Sequence, residues 1–300
     1  MRVLVTGGAG FIGSHIVDLL IKKGFQIAVV DDLSHGRKEN VHKKASFFHE
    51  DINSPHLSRI FNKFKPQIVN HQAALINVQE SLKHPLKDVQ INVSGTLNII
   101  EKSEAVGVKQ FIFASSVAVY GDSKKLPIKE NDSIKPISIY ALSKATAEFY
   151  VKLYQERLKP TILRYANVYG PRQDSSAEGG VVAIFAKKLQ NGKAVIIYGD
   201  GKQTRDFVFV EDIAQANYQA ICKKASGIFN ISTGKETSIL ELYKLCQKLT
   251  FSTKRPIFQP TRPGDLYRSV LDNGVAYREL GWQPRTALFK NLKKTFLSFE

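Results

Sequence analysis

The first 24 residues constrain the fold more than any other part of the chain. Residues 3–6 (VLVT) have the pattern of a buried β strand, and residues 11–24 carry apolar side chains at helical spacing. The turn between them contains four glycines, Gly7, Gly8, Gly10 and Gly13. Small residues at such a turn let a phosphate group approach the backbone N–H groups of the following helix. A dinucleotide site is therefore predicted here, with the glycines in either a G-x-G-x-x-G or a G-x-x-G-x-x-G register.

The segments that follow repeat this alternation of strand and helix. Apolar and β-branched runs predict strands over residues 3–6, 27–31, 46–51, 67–74, 110–116 and 160–170. Strands that alternate with helices form a parallel sheet covered on both faces. The predicted fold class is therefore α/β, with a Rossmann-type doubly wound parallel sheet.

After residue 170 the pattern changes, which predicts a second, smaller unit. A turn-rich loop, a helix and a strand–turn–strand segment come first, and residues 227–232 look like one more strand of the first unit. We expect residues 1–170, with a returning segment near 205–232, to form the dinucleotide-binding domain. Residues 171–204 and 233–300 would then form an interleaved C-terminal α/β substrate domain.

The composition is that of a globular protein with a strong positive charge. Of the 300 residues, 43% are hydrophobic and 23% are charged, and the net charge is +16. The lysine pairs are scattered and form no basic cluster with aromatic side chains, so a solvated surface is favoured over a nucleic-acid partner. Met1 leads directly into the first strand, and no apolar run is long enough to span a membrane. We therefore expect neither a leader segment nor a membrane partner.

The spacing of cysteines and histidines points away from metal chemistry. Cys222 and Cys246 lack C-x-x-C spacing and are predicted to be reduced core thiols of a cytoplasmic protein. Histidines recur every seven residues from His35 to His56, but this segment crosses a strand and two loops. No metal site is predicted.

An acidic residue at the end of the second predicted strand indicates which dinucleotide is bound. Asp31 follows Gly13 by eighteen positions, where a carboxylate accepts hydrogen bonds from the ribose hydroxyls and repels a 2′-phosphate. The prediction is NAD rather than NADP, although Arg37 and Lys38 lie downstream. Asp51, after the third strand, would suit the adenine edge, and it would equally suit a helix N-cap.

The segment YALSK places Tyr140 and Lys144 four residues apart, on one face of a helix. A free tyrosine titrates near ~10, and a neighbouring ammonium group favours its phenolate form. The segment FASS lies just upstream, at the predicted carboxyl end of a strand, where open α/β sheets bind ligands. We expect a serine there, Ser116 in preference to Ser115, to share a substrate proton with Tyr140.

Taken together, these motifs resemble those of the extended short-chain dehydrogenases/reductases. Within that superfamily the chain is similar to the NAD-dependent nucleotide-sugar epimerases of the UDP-glucose 4-epimerase type. The resemblance runs from end to end and rests on the segments TGGAGFIGSH, VVDDLSHG, EDI, HQAA, NVSGTLN, FASSVAVYG, YALSKATAE, LRYANVYGPRQ, IYGDGKQTRDFVFVEDIA and RPGD. It implies that Tyr140, assisted by Ser116, takes a proton from the sugar 4-hydroxyl. The 4-hydride passes to NAD and returns to the other face of a 4-keto sugar.

The resemblance also implies individual contacts. With the cofactor these are Gly7, Gly10, Phe11, Ile12 and Gly13 at the pyrophosphate, Asp31, Asp32 and Ser34 at the adenosine ribose, Asp51 and Ile52 at the adenine, Ala73 and Ala74 behind the cofactor, Tyr140 and Lys144 at the reacting end, and Asn92 as a brace beside Lys144. With the UDP-sugar they are Ser116, Asn167, Arg205 and Arg262 as planar forks on the pyrophosphate, and Asp265 at the uridine ribose.

Two features depart from the galactose-type branch of this family. That branch often has a lysine a few residues after the HxA motif, where this chain has LINVQES. It also often has a bulky tyrosine at the position that limits sugar size, which here is Ser269. A small residue leaves room for a 2-acetamido group. The hypothesis is that UDP-N-acetylglucosamine is accepted as well as, or instead of, UDP-glucose.

Other functions on the same fold are weighed against the epimerase. A 4,6-dehydratase is disfavoured because SSVAVYG contains no acidic pair, and Asp31 disfavours an NADP-dependent sugar reductase. A UDP-glucuronate 4-epimerase or decarboxylase stays open. A non-catalytic NAD-binding regulator would be expected to lose Tyr140 or Lys144, and both are present.

The helix that carries the YALSK motif predicts self-association. Its apolar residues occupy more than one face, whereas a helix that covers one sheet face needs only one stripe. The excess indicates either a homodimer, which the family forms through paired helices, or packing beneath the substrate unit. These residues are Ala141, Leu142, Ala145, Phe149, Tyr150, Leu153 and Tyr154.

Overall fold

The computed structural model describes residues 1–176, 179–262, 266–285 and 287–299. Their strands are β1 (Arg2–Thr6), β2 (Gln26–Asp31), β3 (Ser46–His49), β4 (Ile68–His71), β5 (Gln110–Ser116), β6 (Pro160–Tyr165), β7 (Asn167–Tyr169), β8 (Ile196–Tyr198), β9 (Thr204–Arg205), β10 (Phe207–Phe209), β11 (Gly227–Ile231), β12 (Thr237–Ser238) and β13 (Ile257–Gln259).

The α helices of the same residues are α1 (Phe11–Lys22), α2 (Leu57–Phe64), α3 (Val78–Lys83), α4 (Pro85–Val89), α5 (Thr96–Ala105), α6 (Ile139–Leu153), α7 (Gln155–Leu158), α8 (Val181–Gln190), α9 (Val210–Lys223), α10 (Ile239–Thr250) and α11 (Leu288–Leu297). Short 3₁₀ turns cover Lys38–Asn40 and Val117–Tyr120, and π-helical turns cover Gln90–Gly95 and Ala276–Leu280.

Seven parallel strands form the central sheet, in the order β11–β6–β5–β4–β1–β2–β3. The direction in which strands are added reverses between β1 and β4, which opens a crevice at their carboxyl ends. Thr6, Asp31, His71 and Ser116 are the last residues of four of these strands. The predicted doubly wound α/β fold is confirmed, and polar residues lie at the edge where such sheets bind ligands.

The sheet is buried on both faces because alternate residues of each central strand enter different apolar layers. Val3 and Val5 of β1 pack in the layer that contains α1 and α9, whereas Leu4 packs in the layer that contains α2, α5 and α6. Each fully buried side chain of this size contributes about 1.5–3 kcal/mol relative to an exposed one. This double burial explains why the strand segments are apolar throughout rather than alternating.

A third apolar cluster holds together the part of the chain that follows the loop after residue 170. It contains Phe185 of α8, Tyr243 of α10 and Leu292 of α11, all buried. The same cluster includes residues of β7 and β10, which form a separate two-stranded parallel sheet. None of the described helices is both long enough and apolar enough to cross a bilayer.

The structure differs from the sequence-based expectations in four places. The strand predicted over 160–170 is interrupted at Ala166, whose N–H donates to the carbonyl of Ile231 (3.1 Å) before the N–H of Asn167 turns to the carbonyl of Asp206 (2.9 Å). The chain therefore leaves the central sheet for a second ladder. The strand predicted over 46–51 ends at His49, and the strand predicted over 67–74 ends at His71. Cys222 is exposed rather than in the core, because it lies on the solvent side of the last turn of α9.

Candidate active site

Three glycines of the first turn converge on one carbonyl group. A Cβ atom at Gly13 would overlap the carbonyl oxygen of Gly7, and one at Gly10 would lie 3.2 Å from the same oxygen. Gly7 has a left-handed φ of +66°, and a Cβ there would approach the Ala73 nitrogen to 2.7 Å. The G-x-x-G-x-x-G register thus describes the packing of the turn. Gly8 has a different reason to be small, since its Cβ would meet Val29 of β2 at 2.8 Å.

This turn presents the N-terminus of α1 to the crevice. The helix begins at Phe11, directly after Gly10, and its described first turn carries no acidic side chain. The unpaired N–H groups of such a helix end attract an anion, and the glycines let it approach closely. The turn therefore fits the pyrophosphate of a dinucleotide, with Phe11 and Ile12 half-buried beside it.

The Asp31 carboxylate connects this turn to the loop after β2. Its Oδ2 accepts a hydrogen bond from the Ala9 N–H and its Oδ1 accepts one from the Leu33 N–H, both at 2.9 Å. Burial raises the pKa of this carboxyl group, and the two backbone donors act in the opposite direction. A carboxylate retains acceptor capacity beyond two bonds, so the same group remains able to accept from ribose hydroxyls. A Cβ atom at position 36 would lie 2.7 Å from Oδ1 of Asp31, which explains why this residue is a glycine.

The other residues assigned to the adenosine end lie in exposed turns. Asp32 accepts hydrogen bonds at Oδ1 from the Ser34 N–H (3.0 Å) and hydroxyl (2.6 Å). Asp51 caps its own turn by accepting from the Asn53 N–H at 2.7 Å, while Ile52 is buried. These short side-chain-to-backbone bonds give the loops after β2 and β3 defined shapes at the rim of the crevice.

Strand alternation separates the two neighbouring serines at the end of β5. The hydroxyl of Ser115 donates to Oε1 of Glu148 at 2.5 Å, inside the protein. Ser116 faces the crevice, where it accepts a hydrogen bond from the Ala118 N–H (3.2 Å) and is hydrogen-bonded to the hydroxyl of Tyr140. The structure therefore brings Ser116, and not Ser115, to the tyrosine.

The first turn of α6 holds Tyr140 in place. Ser138 is the N-cap, and its hydroxyl accepts from the Ala141 N–H at 3.2 Å. The hydroxyl of Ser81 on α3 accepts from the N–H of Tyr140 itself at 3.3 Å. Burial raises the pKa of Tyr140 to about 12, whereas its hydrogen bond to Ser116 lowers it. In the chain alone this tyrosine is a neutral phenol, and added positive charge nearby is needed to ionise it.

Lys144 lies one helical turn after the tyrosine and is only 3% exposed. Its ammonium nitrogen lies 4.2 Å from the centroid of the Phe113 ring. Burial lowers the pKa of Lys144 to about 8, while the carboxylates of Glu148 and Asp88 raise it. A lysine with such a pKa carries much of its charge at neutral pH and can stabilise a phenolate on the same helix face.

His71 at the end of β4 is a structural residue with a defined tautomer. Thr96 donates its hydroxyl proton to the Asn92 carbonyl (2.8 Å), so it accepts from Nε2 of His71 (2.9 Å). Nδ1 of His71 then accepts from the hydroxyl of Thr6 at 2.6 Å. Burial, together with the charge of Lys144, lowers the pKa of His71 to about 3. The ring is therefore neutral and connects β1, β4 and α5.

Asn92 anchors the segment that follows β4. Its Oδ1 accepts from the Leu75 N–H (2.9 Å), and its Nδ2 donates to the Leu75 carbonyl (3.0 Å). The same amide reaches Oδ2 of Asp88 (2.9 Å) and the hydroxyl of Ser143 (3.1 Å). Asn92 thus positions the half-buried segment of Ala73 and Ala74 against α6, and its hydrogen bonds are made within the protein.

The residues assigned to the substrate lie on several different elements of the chain. Asn167 begins β7, and Arg205 on β9 is half-buried and donates to the Thr204 carbonyl at 2.8 Å. Arg262 is exposed, with its guanidinium carbon 3.6 Å from the centroid of the Tyr198 ring. Ser269 is only 2% exposed. Asp265 lies outside the described residues.

Most of the chain matches a known protein family. The model of the NAD dependent epimerase/dehydratase family matches residues 3–232. The chain belongs to this family. A UDP-glucose 4-epimerase of Mycolicibacterium smegmatis is 42% identical over 304 residues, which cover 98% of this chain and 97% of that protein.

Solved structures of the family have the same fold. The UDP-glucose 4-epimerase of Thermotoga maritima, crystallised with UDP-glucose, is 43% identical and superposes with a TM-score of 0.97, covering 100% of this chain and 98% of the other. A UDP-N-acetylglucosamine 4-epimerase of Methanobrevibacter ruminantium, in complex with UDP-N-acetylmuramic acid, is 35% identical with a TM-score of 0.95, covering 99% and 97%.

The epimerase/dehydratase site also contains residues that the sequence analysis did not identify. Behind Ser115, the carboxylate of Glu148 forms a bidentate ion pair with Arg164 (2.6 and 2.9 Å), and both side chains are buried. Asp88 is fully buried beside Asn92. The sequence spacing could have indicated both acidic residues. Glu148 follows Lys144 by four residues, and Asp88 precedes Asn92 by four. Residues with this spacing lie on one face of a helix. No group of His, Cys, Asp or Glu within the described ranges has the arrangement of a metal site.

Proposed function

We propose that this chain is an NAD-dependent 4-epimerase that interconverts UDP-hexoses, UDP-glucose with UDP-galactose, through a transient 4-keto sugar. The observation that carries the proposal is the juxtaposition of Ser116, Tyr140 and Lys144 at the sheet edge beside the glycine turn. The family assignment and the named activities of its similar proteins support it.

The residues of the crevice fit NAD. The glycine turn and the N-terminus of α1 would hold the pyrophosphate, Asp31 the adenosine ribose, and Lys144 the nicotinamide ribose. When bound, NAD accepts a hydride from the sugar and returns it. The carboxylate of Asp31 disfavours the 2′-phosphate of NADP, because two negative charges would then share a half-enclosed site.

The chain's own residues handle the proton. Tyr140 as phenolate removes the proton of the sugar 4-hydroxyl, and Ser116 shares that proton through its hydrogen bond to the tyrosine. Loss of the C4 hydride in the same step leaves a neutral ketone. After the ketone turns over, Tyr140 returns the proton to the carbonyl oxygen as the hydride is delivered to the opposite face. Lys144, one turn further along the same helix face, would stabilise the phenolate and offset part of the burial that keeps the phenol neutral.

The sugar nucleotide would lie between two parts of the chain. Residues 1–170 with 205–232 would bind NAD, and residues 171–204 with 233–300 would bind the UDP-sugar. Arg205 and Arg262 would hold the pyrophosphate, with Asn167 donating to it and Asp265 at the uridine ribose. Planar guanidinium groups suit such oxyanions because they donate two parallel hydrogen bonds.

One experiment tests the reaction and the sugar together. Purified protein is incubated without added cofactor with UDP-glucose, UDP-N-acetylglucosamine or UDP-glucuronate, and the products are resolved chromatographically. Epimers at C4 are expected, and Tyr140→Phe should lose turnover while Tyr277→Phe, an exposed tyrosine far along the chain, should keep it. Unchanged turnover in Tyr140→Phe, or decarboxylation of UDP-glucuronate as the main reaction, would refute the proposal.

We further propose that the site admits a 2-acetamido group because Ser269 is small. Turnover of UDP-N-acetylglucosamine is expected in the wild type, and Ser269→Tyr should reduce it at least about tenfold relative to turnover of UDP-glucose, since a bulkier side chain occupies the space of the substituent. Ser269→Ala serves as the matched control and should preserve the ratio of the two activities. Equal rejection of the acetamido sugar by wild type and Ser269→Tyr would contradict this assignment.

We also propose that the protein is a homodimer formed through α6. The outer side of this helix exposes 56% of Leu142, 59% of Phe149 and 77% of Leu153, and Leu86 on the adjacent α4 is 85% exposed. Large side chains that remain exposed together on neighbouring helices are typical of a covered interface. A cytoplasmic location is part of the proposal, and the unpaired thiols of Cys222 and Cys246 support it.

A further inference from the structure

We propose that Asp88 is the counter-ion of Lys144, a positioning residue that keeps the buried ammonium group charged beside the catalytic tyrosine. Asp88 lies on the short helix α4, outside the motifs that led to the site. Its side chain is fully buried. A carboxylate removed from water in this way is costly unless a cation compensates it.

The hydrogen bonds of Asp88 direct it to the catalytic helix without neutralising it. Its Oδ2 accepts from the amide of Asn92 at 2.9 Å, and the same amide donates to the hydroxyl of Ser143, the residue directly before Lys144, at 3.1 Å. Both of these side chains are neutral. Its other oxygen, Oδ1, is buried and has no hydrogen-bond partner among the described residues. The carboxylate is therefore fixed in orientation, and these neutral donors supply no cation to balance its ionised form.

The neighbouring charged groups already have partners. Lys87, next to Asp88 in α4, forms an ion pair with Glu80 at 2.6 Å. Arg164 on β6 is bound bidentately by Glu148.

Lys144 is the cation that remains for Asp88. Burial raises the pKa of Asp88 and the field of Lys144 opposes this rise, while burial lowers the pKa of Lys144 and the Asp88 charge opposes that fall. The charge of Glu148 raises the pKa of Lys144 more than that of Asp88 does, but Glu148 is already bound by Arg164. His71, which faces Lys144 from β4, is neutral because burial holds its pKa near about 3.

The consequence for the reaction follows from the charge on each group. Asp88 keeps Lys144 protonated and at the same time disfavours the Tyr140 phenolate, so it raises the pKa of both. Asp88→Asn should therefore move both limbs of the pH profile of kcat/KM to lower pH, by about one unit for the limb that follows the pKa of Lys144. A purely structural role would lower kcat/KM at every pH without moving the limbs. This part of the test depends on the proposed function.

A double-mutant cycle tests the pair independently of any activity. Asp88→Asn should lower the Tm of the purified protein at pH 6.5 by several degrees, because Lys144 loses its counter-ion. In a Lys144→Met background the same substitution should leave the Tm unchanged or raise it, because it then removes an unpaired buried charge. An equal loss of Tm in both backgrounds would overturn the proposal. The cycle can succeed even if the proposed reaction is wrong.

The pH dependence of the Tm gives a second readout if Lys144→Met folds poorly. The folded pKa of Lys144 is about 8, below its ordinary value of 10.5, so Lys144 is charged in the fold at pH 6.5 and neutral at pH 10. The deficit of Asp88→Asn relative to wild type should accordingly be largest near pH 6.5 and shrink towards pH 10. Ser143→Ala removes a hydrogen bond of the Asn92 amide beside Asp88 but no charge, and its deficit should not vary with pH. A pH-independent deficit for Asp88→Asn would contradict the assignment.

Discussion

Neighbouring residues of this site have separate tasks because strand geometry points them in opposite directions. Ser115 holds Glu148 inside the protein, and Ser116 holds Tyr140 in the crevice. The same alternation at the end of β4 turns His71 towards Thr96 and Asn70 towards Asn217 on the other face. A residue of the candidate site and a residue that stabilises the core are thus adjacent in the chain.

His71 leads to a prediction about stability in acid. Its folded pKa is about 3 against an ordinary 6.5, so the unfolded chain binds a proton at a higher pH than the fold does. The stability that this difference supplies is present above about pH 6.5 and is lost as the pH falls towards 3. The Tm of the wild type should fall over this window, and His71→Gln, although less stable at pH 7, should show a shallower fall.

The control for this measurement is His35→Gln, which removes an exposed histidine. Its curve of Tm against pH should parallel that of the wild type. If His71→Gln also parallels the wild type between pH 6.5 and 4, titration of this ring does not contribute to acid unfolding.

At the scale of elements, the turn between β1 and α1 is defined by backbone contacts rather than by side chains. Gly13→Ala should destabilise the fold by about 1–3 kcal/mol and weaken retention of NAD, because its Cβ would overlap the Gly7 carbonyl oxygen. Gly10→Ala should cost less, since its Cβ would lie 3.2 Å from that oxygen and φ is an ordinary −78°. Thermal unfolding with and without added NAD measures both effects. Equal losses in the two variants would show that the Gly7 carbonyl is not the constraint.

Helices and strands could be predicted where a short stretch of sequence is enough to specify them. Buried strands, the glycine turn and the Tyr140–Lys144 spacing are written in short windows of the sequence. The break at Ala166 was not, because it depends on backbone partners at Ile231 and Asp206, which are distant in the chain. Continuous β-branched sequence favours an extended chain but does not say which ladder each residue joins.

The site was predictable in part for the same reason. Asn92 could be assigned to the neighbourhood of Lys144 by resemblance, but its link from the π-helical turn after α4 to Ser143 joins residues 51 positions apart. The ion pair of Glu148 with Arg164 connects a helix to a strand, and nothing in either segment alone specifies it. Whether a charged residue is buried depends on how the helices pack against the sheet. The roles of such residues are therefore recognised only when the fold is known.

For the whole molecule, the proposed dimer gives a test of its surface. Phe149→Glu places a charge on the exposed side of α6 and should convert a dimer into a monomer at micromolar concentration, because a desolvated charge at an apolar interface is unfavourable. Light scattering measures the mass, and circular dichroism checks that the fold is kept. Glu156→Lys, a charge change just beyond this helix, is the control and should leave the mass unchanged. A monomeric wild type would refute the dimer.

The position of β11 has a consequence for how the molecule is made. The central sheet is finished by residues 227–231, which pair with β6 only after the ladder of β7 and β10 and the whole of α9 have been synthesised. Until then a growing chain presents the open edge of β6, a row of unpaired backbone donors and acceptors of the kind that recruits other strands. Vectorial synthesis thus leaves this protein exposed to misassembly for the interval between its sixth and its eleventh strand, and rapid translation or a chaperone over that stretch would protect it.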